Sequence, residues 1–459
     1  MPKRCQNDTL YKTLDKRQIS KENPVNFSDE RLIFVLFCLA WCLWGWLLVQ
    51  QGFGEDTDAW LLAQTAEKLL LGQGYDPARS FGNPVYEFLL VILQPEQVWI
   101  WSNLFNLFLS VLFLWRLPLA FPFLKPLEGL ILRLSLLAMP IFTEAATSSM
   151  EYMLCWWLLL ESLLALKSER RKLLYVFVSL ACFTRLEFYP LLLFTFWGNV
   201  FGEKTAGISL SKPFFVILSV SWLLYLGWAM DKNPSPFTDL ESGFRFYAGR
   251  IGYLIKQADV LTPIYIYLII GAIQMKTHDS LFYRLGLGNF LFFILFPFEW
   301  AYILPTMVIG LVSRISSFPS HRWWMMPIGI LAASLLSWNM KTKFSFQLPS
   351  NYSRRKEMTK LYLLAQKAHP RNPTLLLYGA TFLPTNTRTW EKAMGNRLFH
   401  RKNSYLYVGE KLNKTELDSL LESGFQIYTL TSEKGGFSSK DKRLIWLVEN
   451  ELEELLKGN

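Results

Sequence analysis

The chain has 459 residues, of which 51% are hydrophobic and 18% charged, and its formal net charge is +10. Soluble domains usually carry about 25% charged residues, so this composition excludes a chain of ordinary soluble domains, and with it collagen-like, disordered and disulfide-scaffold proteins. Residues 340–459 hold 20 Lys and Arg against 12 Asp and Glu, so most of the positive charge lies in the tail. Aromatic residues lie in apolar runs rather than between basic residues, which favours membrane lipids over a nucleic-acid partner.

Apolar runs separated by charged residues predict an α-helical polytopic membrane protein with about eleven transmembrane helices. The first run begins at Leu32 behind a polar, basic segment, and no small-x-small cleavage motif follows it, which indicates an uncleaved signal anchor. The predicted helices lie near 32–50, 97–115, 127–142, 150–166, 172–184, 187–201, 211–229, 253–274, 281–297, 299–313 and 323–339. Three of these runs are short for a span, so about nine to thirteen helices are compatible with the pattern.

Basic residues in short loops predict the orientation of the helices. Lys and Arg are frequent in residues 1–31 and again in 167–172, whereas the alternate short loops are poor in them. We therefore expect a cytoplasmic amino-terminal segment (1–31), a transmembrane core (32–340) with an outer loop (52–96), and a soluble domain (341–459) on the periplasmic or extracellular side. The predicted location is the plasma (inner) membrane.

The tail alternates strand-like and helix-like runs, which predicts a small C-terminal α/β domain with a short parallel or mixed sheet. Neither a G-x-G-x-x-G motif nor a P-loop is present, so nothing in the tail supports nucleotide binding. The strand-like runs are 374–382, 404–408 and 425–430, and the helix-like runs are 354–368, 414–422 and 444–456.

The outer loop begins with three carboxylates within four residues: Glu55, Asp56 and Asp58. An amphipathic helix is predicted to follow over 59–71, lying in the membrane interface and ending at Gly72. Carboxylates at a membrane surface can bind a metal ion, act as a general base toward a hydroxyl group, or form a solvated acidic turn. From the residues alone these three roles remain open.

Charged residues at membrane depth are expensive and are often functional. Five of them are predicted to lie at the same outer face as the acidic turn: Glu144, Glu151, Arg185, Glu187 and Glu299. The structural alternatives are an ion pair between Arg185 and Glu187 that braces two short helices, and a helix-end anchor at Glu299.

A guanidinium group offers two parallel donors to a phosphate. The arginines that could hold an anionic group at the outer face are Arg79, Arg185, Arg245 and Arg250. For Arg245 and Arg250 the structural alternative is an ordinary outer loop.

The order of these motifs resembles membrane glycosyltransferases of the GT-C type, in particular their uncharacterised bacterial and archaeal members. An Asp-x-Asp follows the first helix, an amphipathic segment ends in Gly-x-Gly-Tyr, and Arg-x-x-Gly-Asn-Pro-x-x-Glu precedes the next apolar run. TSSMEY at 147–152 opens the fourth helix, and FEWAYILP at 298–305 resembles a segment with a Glu and a Tyr-x-x-Pro. The resemblance covers roughly 32–340, and its outer-loop residues are Asp56, Asp58, Gly72, Gly74, Tyr75, Arg79, Gly82, Asn83, Pro84 and Glu87.

This resemblance implies transfer of a sugar from a polyprenyl-phosphate-linked donor to a glycan, lipid or protein acceptor, with an outer-loop aspartate as base. On this chain the base is Asp58, with Asp56 next. Thr57 separates them, unlike the commoner paired acidic motif, which leaves open which one is the base and whether a divalent cation lies between them. No other cofactor is implied. The residues expected to contact substrate are Arg79, Glu87, Glu151, Arg185, Glu187, Arg245, Arg250 and Glu299.

Two other functions fit a chain of this kind. A lipid or glycan flippase would also carry intramembrane charges, but it usually shows internal repeats and broken helices near the midplane, and neither is visible in the sequence. A surface-polysaccharide polymerase or ligase would depend on outer-loop arginines rather than on an acidic first loop. Loss of function on replacing Asp58 favours the transferase, and loss on replacing Arg245 or Arg250 favours the polymerase.

Overall fold

The fold is taken from a computed structural model of the chain. It describes residues 27–54, 57–70, 72, 74–75, 77–78, 82–93, 98–186, 188–201, 211–232, 248, 261–275, 280–295, 300–317, 319, 322–339, 374–378, 400–401, 404–408, 422, 426–430 and 445–447. For some residues inside helices, Asp58 among them, only the backbone is described.

Nearly all the described residues before 340 are helical, as the apolar runs predict. The first helices are α1 (Phe27–Val49), α2 (Thr57–Leu70), α3 (Pro84–Ile92), α4 (Val98–Arg116), α5 (Pro126–Leu137), α6 (Pro140–Thr147) and α7 (Tyr152–Lys167). The later ones are α8 (Arg171–Thr184), α9 (Phe188–Phe201), α10 (Lys212–Lys232), α11 (Thr262–Gln274), α12 (Ser280–Leu295), α13 (Leu304–Ser317) and α14 (Met325–Asn339). Short 3-10 segments occupy Leu117–Ala120 and Trp300–Ile303.

The chain is a polytopic α-helical membrane protein. Within the described residues, three helical stretches are long and apolar enough to cross a bilayer, namely Glu30–Val49, Trp99–Ala120 and Lys212–Ala229, and a bent pair makes a fourth if it counts as one span. Helices α11 to α14 contain further apolar stretches of 10–17 residues. By length and composition, the described helices therefore supply fewer full spans than the eleven predicted.

The bent pair replaces the single helix predicted over 127–142, so that prediction is wrong. Helices α5 and α6 meet at an angle of 72°, and Met139 between them is extended, with φ −82° and ψ 120°. The cause is Pro140, because a proline ring clashes with an α-helical conformation at the residue before it. The chain changes direction here and leads into the turn that precedes α7.

The outer loop packs on the helical bundle through α3. Helix α4 packs on α1, α6 and α7, while α3 packs on α2 and α8. Helices α7 and α8, joined by a short turn, pack side by side, so the end of α8 lies next to the start of α7. One contiguous apolar core runs through these helices and into α11 to α13.

In the described part of the tail, five short strands form one sheet: β1 (Thr374–Tyr378), β2 (His400–Arg401), β3 (Ser404–Val408), β4 (Gln426–Leu430) and β5 (Ile445–Leu447). Their order is β2-β3-β1-β4-β5. Strand β1 pairs in parallel with both β3 and β4, β5 is parallel to β4, and β2 is antiparallel to β3. Each of the three predicted strand runs contains one of these strands.

The helix predicted over 444–456 is wrong at its beginning, because β5 occupies Ile445–Leu447 and pairs Tyr428 with Ile445. An Ile-Trp-Leu run fits a pleated sheet well, since β-branched and aromatic side chains favour strands. The predicted helices over 354–368 and 414–422 lie outside the described residues, except for Glu422, which is helical.

Candidate functional site

A buried ion pair joins the end of α8 to the start of α7. Arg185 follows the last residue of α8 and Glu151 precedes the first residue of α7. The Nη1 atom of Arg185 lies 3.5 Å from Oε1 of Glu151, and the two side chains are 1% and 0% exposed. The structure thus brings together two residues that were predicted as substrate contacts. Glu187, which the sequence suggested as a partner of Arg185, lies outside the described residues.

Two tyrosine rings lie against the guanidinium group of Arg185. Its central carbon is 4.5 Å from the ring centroid of Tyr152 and 4.0 Å from that of Tyr302. A cation over an aromatic face is attracted by the ring quadrupole, more strongly where water is excluded. Tyr302 is itself held in place, because Asn289 donates from Nδ2 to its carbonyl oxygen at 2.8 Å. The arrangement fixes the plane and position of a positive charge inside the bundle.

The outer loop reaches this ion pair through two neighbouring contacts. Tyr86 of α3 is fully buried, and burial raises the pKa of its hydroxyl, with a further contribution from the nearby carboxylate of Glu151. The amide nitrogen of Asn106 donates to the Tyr86 hydroxyl oxygen at 3.0 Å. In the orientation that satisfies both of its amide atoms, Asn83 donates to the carbonyl oxygen of Thr184 at 3.2 Å. Helix α3 is therefore docked beside the residue that precedes Arg185.

Glu87, the other predicted site residue in α3, is fully buried and contacts its own loop. Its Oε2 atom accepts a hydrogen bond from the Tyr75 hydroxyl, and its Oε1 atom accepts one from the backbone N–H of Ala78 at 3.0 Å. The Tyr75 ring stacks on Trp228 of α10 with centroids 5.6 Å apart, and the Tyr75 and Tyr225 hydroxyls are 2.9 Å apart. Burial above all, and the carboxylate of Glu87 next, raise the pKa of Tyr75, so its hydroxyl stays protonated and able to donate.

An apolar cavity lies next to the tyrosines. Its empty volume is about 420 Å³ when the space open to the surroundings is counted, and its lining residues come from α4, α7, α12, α13 and the segment Leu117–Phe121. One wall is Trp156, whose ring stacks on Tyr152 with centroids 6.0 Å apart. The cavity continues along α7 past Leu160 to Leu163. An apolar space with a buried cation close to one end is suited to a molecule with a hydrocarbon part and an anionic part.

A second arginine–glutamate pair lies toward the other end of α7. Arg116 and Glu161 form a two-pronged ion pair, with Nη2 of the arginine 2.8 Å from Oε2 of the carboxylate and Nε bonded to Oε1. The side chain of Glu161 is 8% exposed and that of Arg116 is 40% exposed. This pair offers a matched comparison for Glu151 and Arg185, because it joins the same residue types in the same region.

Most of the other predicted site residues lie outside the described residues: Asp56, Arg79, Glu187, Arg245, Arg250 and Glu299. Asp58 is the second residue of α2, with only its backbone described. Among the described residues no group of three or more His, Cys, Asp or Glu side chains could hold a metal ion. That finding does not cover Asp56 or the Asp58 carboxylate.

Sequence reasoning missed four polar or aromatic residues at this site. Tyr302 lies in the FEWAYILP segment, but only its place in a Tyr-x-x-Pro pattern was noted, and Tyr152 was the last letter of TSSMEY. Asn103 and Asn106 stand three residues apart in the apolar helix α4. Two amides on one face of a membrane helix are a signal the sequence does carry, because polar groups in lipid usually find a partner or a function.

Comparison with known proteins gives a likeness at the level of structure only. No protein-family model and no curated protein matches the chain. Two crystal structures of ArnT from Cupriavidus metallidurans are similar, each at 14% identity. The apo structure has a TM-score of 0.46 over 86% of this chain and 88% of that chain. The structure bound to undecaprenyl phosphate has a TM-score of 0.47 over 85% and 88%. A likeness at this level does not identify a substrate, so the function rests on the residues themselves.

Proposed function

We propose that the chain is an integral membrane glycosyltransferase that moves a sugar from a polyprenyl-phosphate donor to an acceptor hydroxyl at the outer side of the membrane. Asp58 is the general base, and Arg185 holds the phosphate of the donor. Two observations support the proposal. The order of outer-loop motifs resembles that of GT-C enzymes, and Arg185 is held by several contacts inside the bundle. A polyprenyl-linked lipid and the surrounding membrane lipids are then its partners.

The observation that carries the proposal is the setting of Arg185. Its guanidinium group is 1% exposed in a helix bundle that crosses a membrane, where a charged side chain is costly and usually functional. Glu151 offsets the charge and the rings of Tyr152 and Tyr302 fix its plane. The apolar cavity begins beside Tyr152, and this supports a phosphate site at Arg185 with the hydrocarbon chain in the cavity.

In the proposed reaction the acceptor oxygen attacks the anomeric carbon of the donor sugar. The bond between that carbon and the phosphate oxygen breaks, and the polyprenyl phosphate leaves with the electron pair. Asp58 takes the proton from the acceptor hydroxyl, and the resemblance implies inversion at the anomeric carbon. Arg185 stabilises the charge on the departing phosphate, and a positive charge already in place lowers the barrier without reorganisation.

The test is mass spectrometry of lipid-linked and surface glycans in the native host. The strains are wild type, a deletion, and Asp58→Asn at equal protein level. A positioned base contributes about 100- to 10,000-fold, so Asp58→Asn should remove one surface sugar as the deletion does, and the unused lipid-linked donor should accumulate.

Two results would contradict this assignment. If the glycans of the deletion strain are unchanged, the proposed transferase function is refuted. If the deletion strain lacks one sugar but the Asp58→Asn strain keeps it, Asp58 is not the general base. That result favours polymerisation or transport.

A further inference from the structure

Two asparagines in α4 are completely buried inside a membrane-spanning helix. Asn103 and Asn106 are both 0% exposed and lie within the apolar stretch Trp99–Ala120. Burying an amide without hydrogen bonds is costly in a medium that offers no partner, so the bonds of these two side chains matter. Residues three apart on a helix share a face, so the two amides point to the same region of the bundle.

The amide of Asn103 ties the start of the outer loop to the turn before α7. Its nitrogen donates to the carbonyl oxygens of Val49 at 3.2 Å and of Gly52 at 2.7 Å. Its oxygen accepts a hydrogen bond from the Ser149 hydroxyl at 2.7 Å. The backbone N–H of Ser149 in turn donates to the carbonyl oxygen of Phe53 at 2.5 Å. The segment that leads from α1 into α2, where Asp58 lies, is thus bound to residue 149.

The amide of Asn106 ties the same turn to the second helix of the outer loop. Its nitrogen lies 2.5 Å from the carbonyl oxygen of Ser148, 2.9 Å from that of Met150 and 3.0 Å from the hydroxyl oxygen of Tyr86. Glu151 follows Met150 directly. One side chain therefore sets the distance between α3 and the residue that pairs with Arg185.

We propose that Asn103 and Asn106 are positioning residues for the sugar transfer, holding the backbone that carries Asp58 in a fixed relation to Glu151 and Arg185. The inference rests on the proposed function. It does not assign either amide a contact with substrate. Transfer needs base, acceptor and phosphate site in one geometry, and these two amides bond the backbone segments that lead to the base and to the phosphate site.

A variant of Ser110, on the same helix, distinguishes a positioning role of the two asparagines from a purely structural role. Ser110 is also 0% exposed, and its hydroxyl donates to the carbonyl oxygen of Leu107 within α4 at 2.6 Å. Ser110→Ala removes a buried hydrogen bond from α4 but touches neither the outer loop nor the turn. It is the matched control for Asn103→Ala and Asn106→Ala.

The experiment uses the full chain with three readouts. They are product glycan per folded protein in the native host, affinity of the purified protein for undecaprenyl phosphate, and hydrogen–deuterium exchange of residues 50–70, 84–92 and 148–151. A misplacement of about 1 Å costs about 100-fold in rate, so each asparagine variant should lose about that factor in product. Affinity for undecaprenyl phosphate should change by less than about threefold, because ground-state binding is not what these residues supply. Exchange should rise in the three segments, and Ser110→Ala should leave all readouts near wild type.

The proposal is overturned if the asparagine variants keep wild-type product per folded protein, or if exchange in the three segments rises no more than in Ser110→Ala. A deletion strain with unchanged glycans is a different result. It refutes the proposed function, while the exchange measurement still decides whether the two amides hold the loop and the turn together.

Discussion

The hydroxyl of Tyr75 donates a hydrogen bond to the carboxylate of Glu87, twelve positions further along the chain. The other oxygen of that carboxylate accepts the backbone N–H of Ala78, so both oxygens are used within the outer loop. Gly82 lies between Ala78 and Glu87 in the sequence and has φ +66°. A Cβ added at Gly82 would come within 2.4 Å of the Tyr225 hydroxyl oxygen. These contacts tie Glu87 to the loop that carries Arg79, and the predicted contact of Glu87 with substrate stays a prediction.

Replacing Glu87 by alanine should destabilise the protein by about 1–3 kcal/mol, the usual cost of leaving a buried hydrogen-bonding group without its partner. Glu87→Gln keeps an acceptor oxygen and should lose less. The measurement is the melting temperature of the purified protein in detergent or nanodiscs, with Ile92→Ala on the exposed side of the same helix as the control. If Glu87→Ala has the melting temperature of the wild type but a lower affinity for the donor, Glu87 contacts the substrate.

Arg185→Lys should reduce binding of undecaprenyl phosphate and transfer by at least about tenfold, because an ammonium group neither fills a planar site nor offers paired donors. The control is Arg116→Lys, at the arginine–glutamate pair toward the other end of α7, which should bind and transfer like wild type. Titration of both purified variants with undecaprenyl phosphate measures the difference. Equal losses in the two variants would mean that Arg185 only braces the bundle.

Glu151→Gln should impair transfer more than Glu161→Gln does. Both carboxylates are buried and pair with an arginine. Removing the charge of Glu151 leaves the buried Arg185 uncompensated, at a cost of about 3–5 kcal/mol, whereas Arg116 is 40% exposed and loses less with its partner. Stability should therefore fall in both variants. Glycan product per folded molecule should fall only in Glu151→Gln, and a parallel fall in Glu161→Gln would contradict a special role for the pair beside the tyrosines.

Leu163→Trp should obstruct the apolar cavity, because Leu163 lines it. The larger tryptophan side chain would project into the cavity, since the surrounding interior is packed. We expect affinity for undecaprenyl phosphate to fall by about tenfold, whereas affinity for a short-chain phosphate that does not fill the cavity should stay unchanged. Leu335→Trp in α14 is the control, because Leu335 is 49% exposed. Unchanged affinity in Leu163→Trp would place the lipid chain elsewhere.

Gly310→Ala should be among the most destabilising single changes in the core. An added Cβ at Gly310 would come within 2.0 Å of the carbonyl oxygen of Leu268, where α11 and α13 pack closely. Forcing extra atoms into a packed interior typically costs about 1–3 kcal/mol, occasionally more. Gly329→Ala has no atom within 4 Å of the added methyl group and should be neutral or slightly stabilising. Thermal unfolding of the two variants compares them directly.

The positions of the helices follow from the sequence because each needs only a local apolar run. The first helix was predicted over 32–50 and ends at Val49. The break at Pro140 was within reach of the same reasoning, since a proline disfavours helix at the residue before it. The short run at Ile445 suits either a strand or a helix from periodicity alone, and pairing with β4 decides it.

The ion pair could not be predicted in the same way. Glu151 and Arg185 are 34 positions apart in the sequence and are brought together by the packing of α7 against α8. The rings around the guanidinium come from two separate segments, at Tyr152 and Tyr302. Contacts of this kind depend on tertiary structure, and the sequence supplies only the residue types.

The strand order of the tail has a consequence for biosynthesis. Strand β1 is the first of the five to be made, yet it lies at the centre of the sheet and needs β3 on one side and β4 on the other. Parallel neighbours must be brought together across long intervening chain, which makes such sheets slow to form. Among the described strands, β5 can pair with β4 only once residue 447 has been synthesised, so the membrane helices are made well before this pair forms.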